Sequence, residues 1–170
     1  KLNAKWYTTI VDKLVLATRA NFGFIGGYSD SKGIPPFNRF SLGGSGLTGY
    51  NLDGREVISA RGYNDGGSLS IHPDGYPSAL YNRFTMELRY PAVMSPSLTF
   101  YGLGFVEAAN GYNSFKTYNP FVAYRAAGVG IRLFLPMFGL LGLDYAYNFD
   151  TNPANPIHHW QTHFFLGQQF

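Results

Sequence analysis

Period-two alternation of apolar and polar residues recurs along this chain in segments of about ten residues, the length that crosses a bilayer as a tilted β-strand. Lys1 to Ile10 sets Leu2, Ala4, Trp6, Thr8 and Ile10 against Lys1, Asn3, Lys5, Tyr7 and Thr9. Leu14 to Tyr28 sets Leu14, Leu16, Ala20, Phe22 and Phe24 against Arg19, Asn21 and Gly23. Leu80 to Tyr90 is the clearest: Leu80, Phe84, Met86, Leu88 and Tyr90 oppose Tyr81, Arg83, Thr85, Glu87 and Arg89. Further strands are expected over Leu98 to Glu107, Tyr124 to Leu135, Leu140 to Phe149 and Trp160 to Phe170. In Tyr124 to Leu135, Ala127, Val129, Ile131 and Leu133 point outward and Gly128, Gly130 and Arg132 inward; in the next, Leu141, Leu143, Tyr145 and Tyr147 oppose Gly142, Asp144 and Ala146. Each predicted strand thus has one greasy and one wet face.

The connections between these segments alternate in length. Val11 to Lys13, Pro91 to Ser97 and Pro136 to Gly139 are short; Ser29 to Ala79 and Ala108 to Ala123 are long, and Asp150 to His159 is intermediate. Short turns at one end and long loops at the other are the pattern of an outer-membrane barrel, and a soluble sandwich has no reason to sort its loops this way. Composition agrees. Only 14% of residues are charged while 18% are aromatic, so a wholly aqueous surface is hard to build. Mean hydropathy is nevertheless near zero and no run of residues is apolar enough for a membrane helix, as expected when lipid-facing and lumen-facing residues cancel. The net charge of +3 is scattered without a Lys/Arg block, which argues against a nucleic-acid partner. Cysteine is absent, so no disulfide framework is expected.

Tracing the loop alternation back from a periplasmic C-terminus puts Lys1 on the extracellular side, and no export signal precedes it. Bacterial single-chain barrels have even strand counts with both termini in the periplasm. Seven strands would also leave two edges that lipid cannot hydrogen-bond. The chain is therefore expected to be the C-terminal part, residues 1–170, of a larger barrel.

The last predicted strand ends in His163-Phe164-Phe165-Leu166-Gly167-Gln168-Gln169-Phe170, with Trp160, Phe164, Leu166 and Phe170 on one alternating face. A terminal aromatic on the lipid-facing phase resembles the C-terminal targeting signal of outer-membrane proteins. Upstream, Pro35-Pro36-Phe37-Asn38-Arg39-Phe40-Ser41-Leu42-Gly43-Gly44-Ser45-Gly46-Leu47-Thr48-Gly49-Tyr50 is followed by Ala60-Arg61-Gly62-Tyr63. This aromatic-rich approach with its Gly-Gly pair, and the Arg-Gly-aromatic triplet after it, resemble the long inward-folded loop of the BamA superfamily of outer-membrane assembly factors.

The resemblance implies an all-β, membrane-spanning antiparallel β-barrel of roughly sixteen strands, of which this chain holds about seven, with residues 29–79 as the long extracellular loop. It implies that Arg61, Gly62 and Tyr63 form the loop tip, with Glu87 and Glu107 as acidic partners. Thr48 stands where the first Gly-aromatic of this chain would need the arginine, so a tip centred on Thr48 is the alternative alignment. The function implied is folding and insertion of β-barrel proteins through a lateral seam at the last strand, formed by Phe164, Leu166, Gly167, Gln168, Gln169 and Phe170. Implied partners are outer-membrane lipids, nascent β-barrel clients and accessory lipoprotein subunits; no cofactor is implied.

Each candidate has a plainer reading. Glu87, Arg83 and Arg89 would form a lumen charge ladder in any barrel. His158 and His159 are adjacent and point oppositely if extended, and His163 has no second ligand at a fixed spacing, so interface histidines are a better account than a metal site. Gly43-Gly44-Ser45-Gly46 lacks the Gly-Lys-Ser/Thr ending of a phosphate loop. A two-partner-type polypeptide secretion pore shares the barrel and loop motif and is the competing function. A barrel lipase or acyltransferase would need a Ser or His with a carboxylate partner near the interface. Ser45 and Ser59 have no histidine at a suggestive position, so no enzymatic activity is expected.

Overall fold

A computed structural model describes residues 1–27, 33–44, 56–64, 78–95, 97–136, 139–151, 156 and 158–167. The chain forms seven long strands: β1 (Leu2–Val11), β2 (Leu14–Phe24), β5 (Leu80–Ser95), β6 (Leu98–Tyr112), β7 (Tyr124–Leu135), β8 (Gly139–Asn148) and β9 (Trp160–Gly167). They pair antiparallel in the order β1-β2-β5-β6-β7-β8-β9, so β1 and β9 are the edges of a sheet that does not close. Between β2 and β5 lie two short strands, β3 (Ser41–Leu42) and β4 (Val57–Ile58), paired parallel to each other. No α-helix occurs among the described residues; two single turns of 3-10 helix cover Pro36–Asn38 and Phe115–Thr117.

The alternation predicted from sequence sorts the two faces. Trp6, Phe84, Met86, Leu88, Val129, Ile131, Leu143 and Tyr145 are exposed on one side, while Arg61, Glu87, Glu107, Arg132, Asp144 and His163 are buried on the other. Leu80 departs from this. Expected on the exposed apolar face with Phe84, it is fully buried. The connection between β6 and β7 folds back over that end of the outer face, where Asn82 Nδ2 donates to the Pro120 carbonyl at 3.3 Å and Asn110 Nδ2 to the Val122 carbonyl at 2.6 Å. Phe115 then packs 4.4 Å, ring to ring, from Phe24, and Tyr118 packs 5.8 Å from Phe22.

Strand boundaries differ from expectation where proline and glycine mislead. Pro91 was expected to open a turn, yet β5 runs through it to Ser95. The register slips between Pro91 and Val93, so the missing amide falls at a bulge, one of the few sheet positions that tolerates proline. β6 correspondingly extends past Glu107 to Tyr112, whereas β2 stops at Phe24 rather than continuing to Tyr28. β7 spans Tyr124–Leu135 as expected.

The sheet must curl. In a flat sheet β5 and β8 are three spacings apart, about 14 Å. The single Arg61 guanidinium nevertheless reaches carboxylates on β5, β6 and β8. The polar face is therefore concave, and the segment carrying Arg61 lies inside the curl.

Candidate functional site: a loop tip sealed against the inner wall

Segments 33–44 and 56–64 of the long connection form a small body of their own on the concave face. Parallel pairing of β3 with β4 brings its two halves together. Phe40, Leu42, Ile58, Ala60 and Tyr63 bury their side chains against Tyr81, Ala109 and Ala126 of the wall. The tip turns sharply: Gly44 N donates to the Tyr63 carbonyl at 3.1 Å, and Ala60 N to the Gly44 carbonyl at 3.1 Å. Gly62 takes φ of +88°, in the left-handed region that glycine enters without cost. A Cβ there would also sit 2.8 Å from Ala126 Cβ. The Arg-Gly-aromatic order thus follows from a turn that only its middle residue can make.

The turn aims Arg61 into a carboxylate cradle. Arg61 Nη2 lies 2.9 Å from Glu87 Oε1 and 2.9 Å from Glu107 Oε2, and Nη1 lies 3.3 Å from Asp144 Oδ2. Nε donates to Glu107 Oε2 at 3.0 Å, and the Arg61 backbone N–H donates to Glu107 Oε1 at 3.1 Å. Beneath the guanidinium, the Phe105 ring centroid is 3.6 Å from Cζ, within cation–π range. Burial works against the charge on Arg61, but attraction from Glu107, Glu87 and Asp144 outweighs it and raises the guanidinium above its ordinary pKa.

Each carboxylate is held by a second arginine from the wall. Arg83 Nη2 donates to Glu107 at 2.9 Å, Arg89 grips Glu87 through Nε at 3.0 Å and Nη2 at 2.5 Å, and Arg132 grips Asp144 through both terminal nitrogens at 2.6 and 2.9 Å. Asp144 has room because its cross-strand partner is Gly130, where a Cβ would lie 1.9 Å from Asp144 Oδ1. Each carboxylate is thus fixed in place from the wall side and presents its remaining lone pairs to Arg61.

The rest of the tip is tied by neutral groups. Gly62 N–H donates to His163 Nε2 at 2.8 Å, which places the imidazole proton of the neutral ring on Nδ1. Tyr63 Oη donates to the Arg125 carbonyl at 2.7 Å; burial, together with Asp150, pushes its phenol above the ordinary range, so it stays a donor. Beyond the tip, Gln161 Nε2 donates to Asn64 Oδ1.

Of the residues singled out from sequence, the structure brings Arg61, Gly62, Tyr63, Glu87 and Glu107 into one cluster. Phe164 and Leu166 stand apart, half-exposed on the outer face of β9, and Gly167 ends that strand. Gln168, Gln169 and Phe170 lie outside the described residues, as do Ser45 and the alternative tip at Thr48, Gly49 and Tyr50. His163 needs correction. It is not an interface histidine but is 3% exposed and caps the loop tip from β9. Asp144, Phe105 and Arg132 were not selected as site residues. Their signal was the inward phase shared with Gly130 and Gly142, together with the register that sets Asp144 opposite His163.

A curled antiparallel sheet with an apolar outer face, a charged inner face and a loop tip sealed inside it has the design of a transmembrane β-barrel wall. The chain matches the Omp85 superfamily domain over residues 1–170, and it belongs to that superfamily of outer-membrane β-barrel proteins. Comparison with curated proteins finds no match.

Proposed function

We propose that this chain is the C-terminal wall of a BamA-type assembly factor, which inserts β-barrel proteins into the outer membrane through a seam at β9. The observation that carries this reading is the unequal hold on the wall. Arg61 binds β5, β6 and β8 through charged pairs, whereas β9 is tied to the loop by the neutral Gly62–His163 and Asn64–Gln161 bonds. An edge strand that is weakly held from inside can part from its neighbour and offer its backbone to an incoming strand, for which lipid supplies no hydrogen bonds. Both sheet edges would be completed by strands of the larger barrel. The reaction is strand addition with no chemical step, catalytic group or cofactor, and its partners are outer-membrane lipids, nascent barrels and accessory lipoproteins.

The test is site-directed cross-linking in the native membrane, with Cys at Gly167, Gln168 and Gln169 in the full-length protein while a nascent barrel is trapped mid-assembly. Cross-links to the client's terminal strand are expected. A soluble exported chain linking to the inner face, with the three positions linking only within the protein, would replace this reading by a polypeptide secretion pore.

A further inference from the structure

Charge on the concave face is unbalanced away from the Arg61 cradle. Glu87 is already committed to Arg61 and Arg89, and Arg19 Nη2 stands 4.0 Å from it. Arg19 Nε is buried with no hydrogen-bond partner among the described residues. Directly across the β1–β2 pair Arg19 faces Lys5, and like charges in opposed cross-strand positions repel. A cavity of about 290 Å³ opens where these groups meet, its polar lining made by Lys5, Tyr7, Arg19, Arg89, Thr99 and Tyr101. No carboxylate of the described residues lines it.

We propose that this cavity binds a phosphate-type oxyanion. The Arg19 guanidinium, the Lys5 ammonium and the Arg89 guanidinium, which keeps Nη1 after gripping Glu87, line it from β2, β1 and β5, and three hydroxyls are available to donate from its walls. A tetrahedral oxyanion presents oxygens in several directions at once and matches arginine's planar fork, whereas one carboxylate edge occupies a single fork. Bound there, it removes the Lys5–Arg19 repulsion and gives both side chains a counter-charge. Arg89 is held in place by Glu87 and stands between two aromatic rings. Its Cζ stands 5.8 Å from the Tyr7 ring centroid and 5.7 Å from that of Tyr101. Free phosphate and the phosphodiester of a lipid headgroup share this chemistry. The site does not depend on whether the barrel inserts or secretes proteins.

The experiment titrates inorganic phosphate into the full-length protein in non-ionic detergent and follows phosphorus NMR line width. Saturable binding is expected, weakened about tenfold or more by Lys5→Gln and by Arg19→Gln, equivalent to about 1.4 kcal/mol each. Arg125→Gln, on the far rim, leaves it unchanged. Heat-modifiable gel mobility verifies that each variant is folded. A short-chain phosphatidylglycerol that displaces phosphate at lower concentration than glycerol phosphate identifies a headgroup as the occupant; equal displacement identifies the free ion. Binding that fails to saturate, or that both variants leave unchanged, overturns the site.

Discussion

The Arg61 cradle and the β9 edge face the same loop tip but hold it by different physics. At the cradle, one guanidinium meets Glu87, Glu107 and Asp144, each braced by a further arginine. At β9, a backbone N–H meets a neutral imidazole and one side-chain amide meets another. A hydrogen bond to a charged group contributes about 1.5–3 kcal/mol, against about 0.5–1.5 kcal/mol for a neutral one. The loop tip is therefore held by charge at β5, β6 and β8 and by neutral hydrogen bonds at β9.

Arg61→Met is the strongest way to break the contrast. Each carboxylate keeps its wall arginine, so the loss is that of Arg61's own charged hydrogen bonds, at about 1.5–3 kcal/mol each; urea unfolding of the full-length protein in detergent should shift by about 3 kcal/mol or more and protease should reach the loop. Gly62→Ala comes next, because the left-handed backbone and the contact with Ala126 together cost about 1–3 kcal/mol in the same assay. His163→Phe is predicted to cost about 1–3 kcal/mol, because the buried Gly62 N–H is left without its acceptor. If it proves as damaging as Arg61→Met, the two regions are equally held and the contrast fails.

The smallest effect belongs to the exposed rim, where Arg125 grips Asp150 at 2.8 and 3.0 Å. The hydrogen bond from Arg125 lowers the Asp150 pKa. Its stabilising contribution is thus present above the unfolded-state pKa and is lost as pH falls through the depressed folded value. Asp150→Asn should flatten that acid limb and be masked by added salt, while the Arg61 variant stays destabilised at high salt.

Reading the sequence captured what alternation encodes and missed what register creates. Trp6, Met86 and Val129 could be assigned to the outer face because a period of two fixes the phase of every neighbour. Arg61, Glu87 and Glu107 were accessible through a local motif and its position relative to two strands. Asp144 and His163 were not, because nothing local links them to Arg61; only curling of the sheet and the β8–β9 register deliver them to the tip. Pro91 misled for a related reason, since a bulge is a property of a strand pair and not of one strand. Leu80 was misplaced because a connection from elsewhere in the chain covers it.

The loop tip also imposes an order on biogenesis. Arg61 is 46 residues from Glu107 and 83 from Asp144, and Gly62 is 101 from His163. Contacts this distant in sequence form late, after the entropy of closing long loops has been spent. Arg61 gains its third carboxylate only when β8 joins the sheet, and Gly62 gains its acceptor only when β9 does. The cluster therefore reports sheet assembly: with β8 or β9 unpaired the loop stays unlatched and open to protease, and pairing of both shuts it.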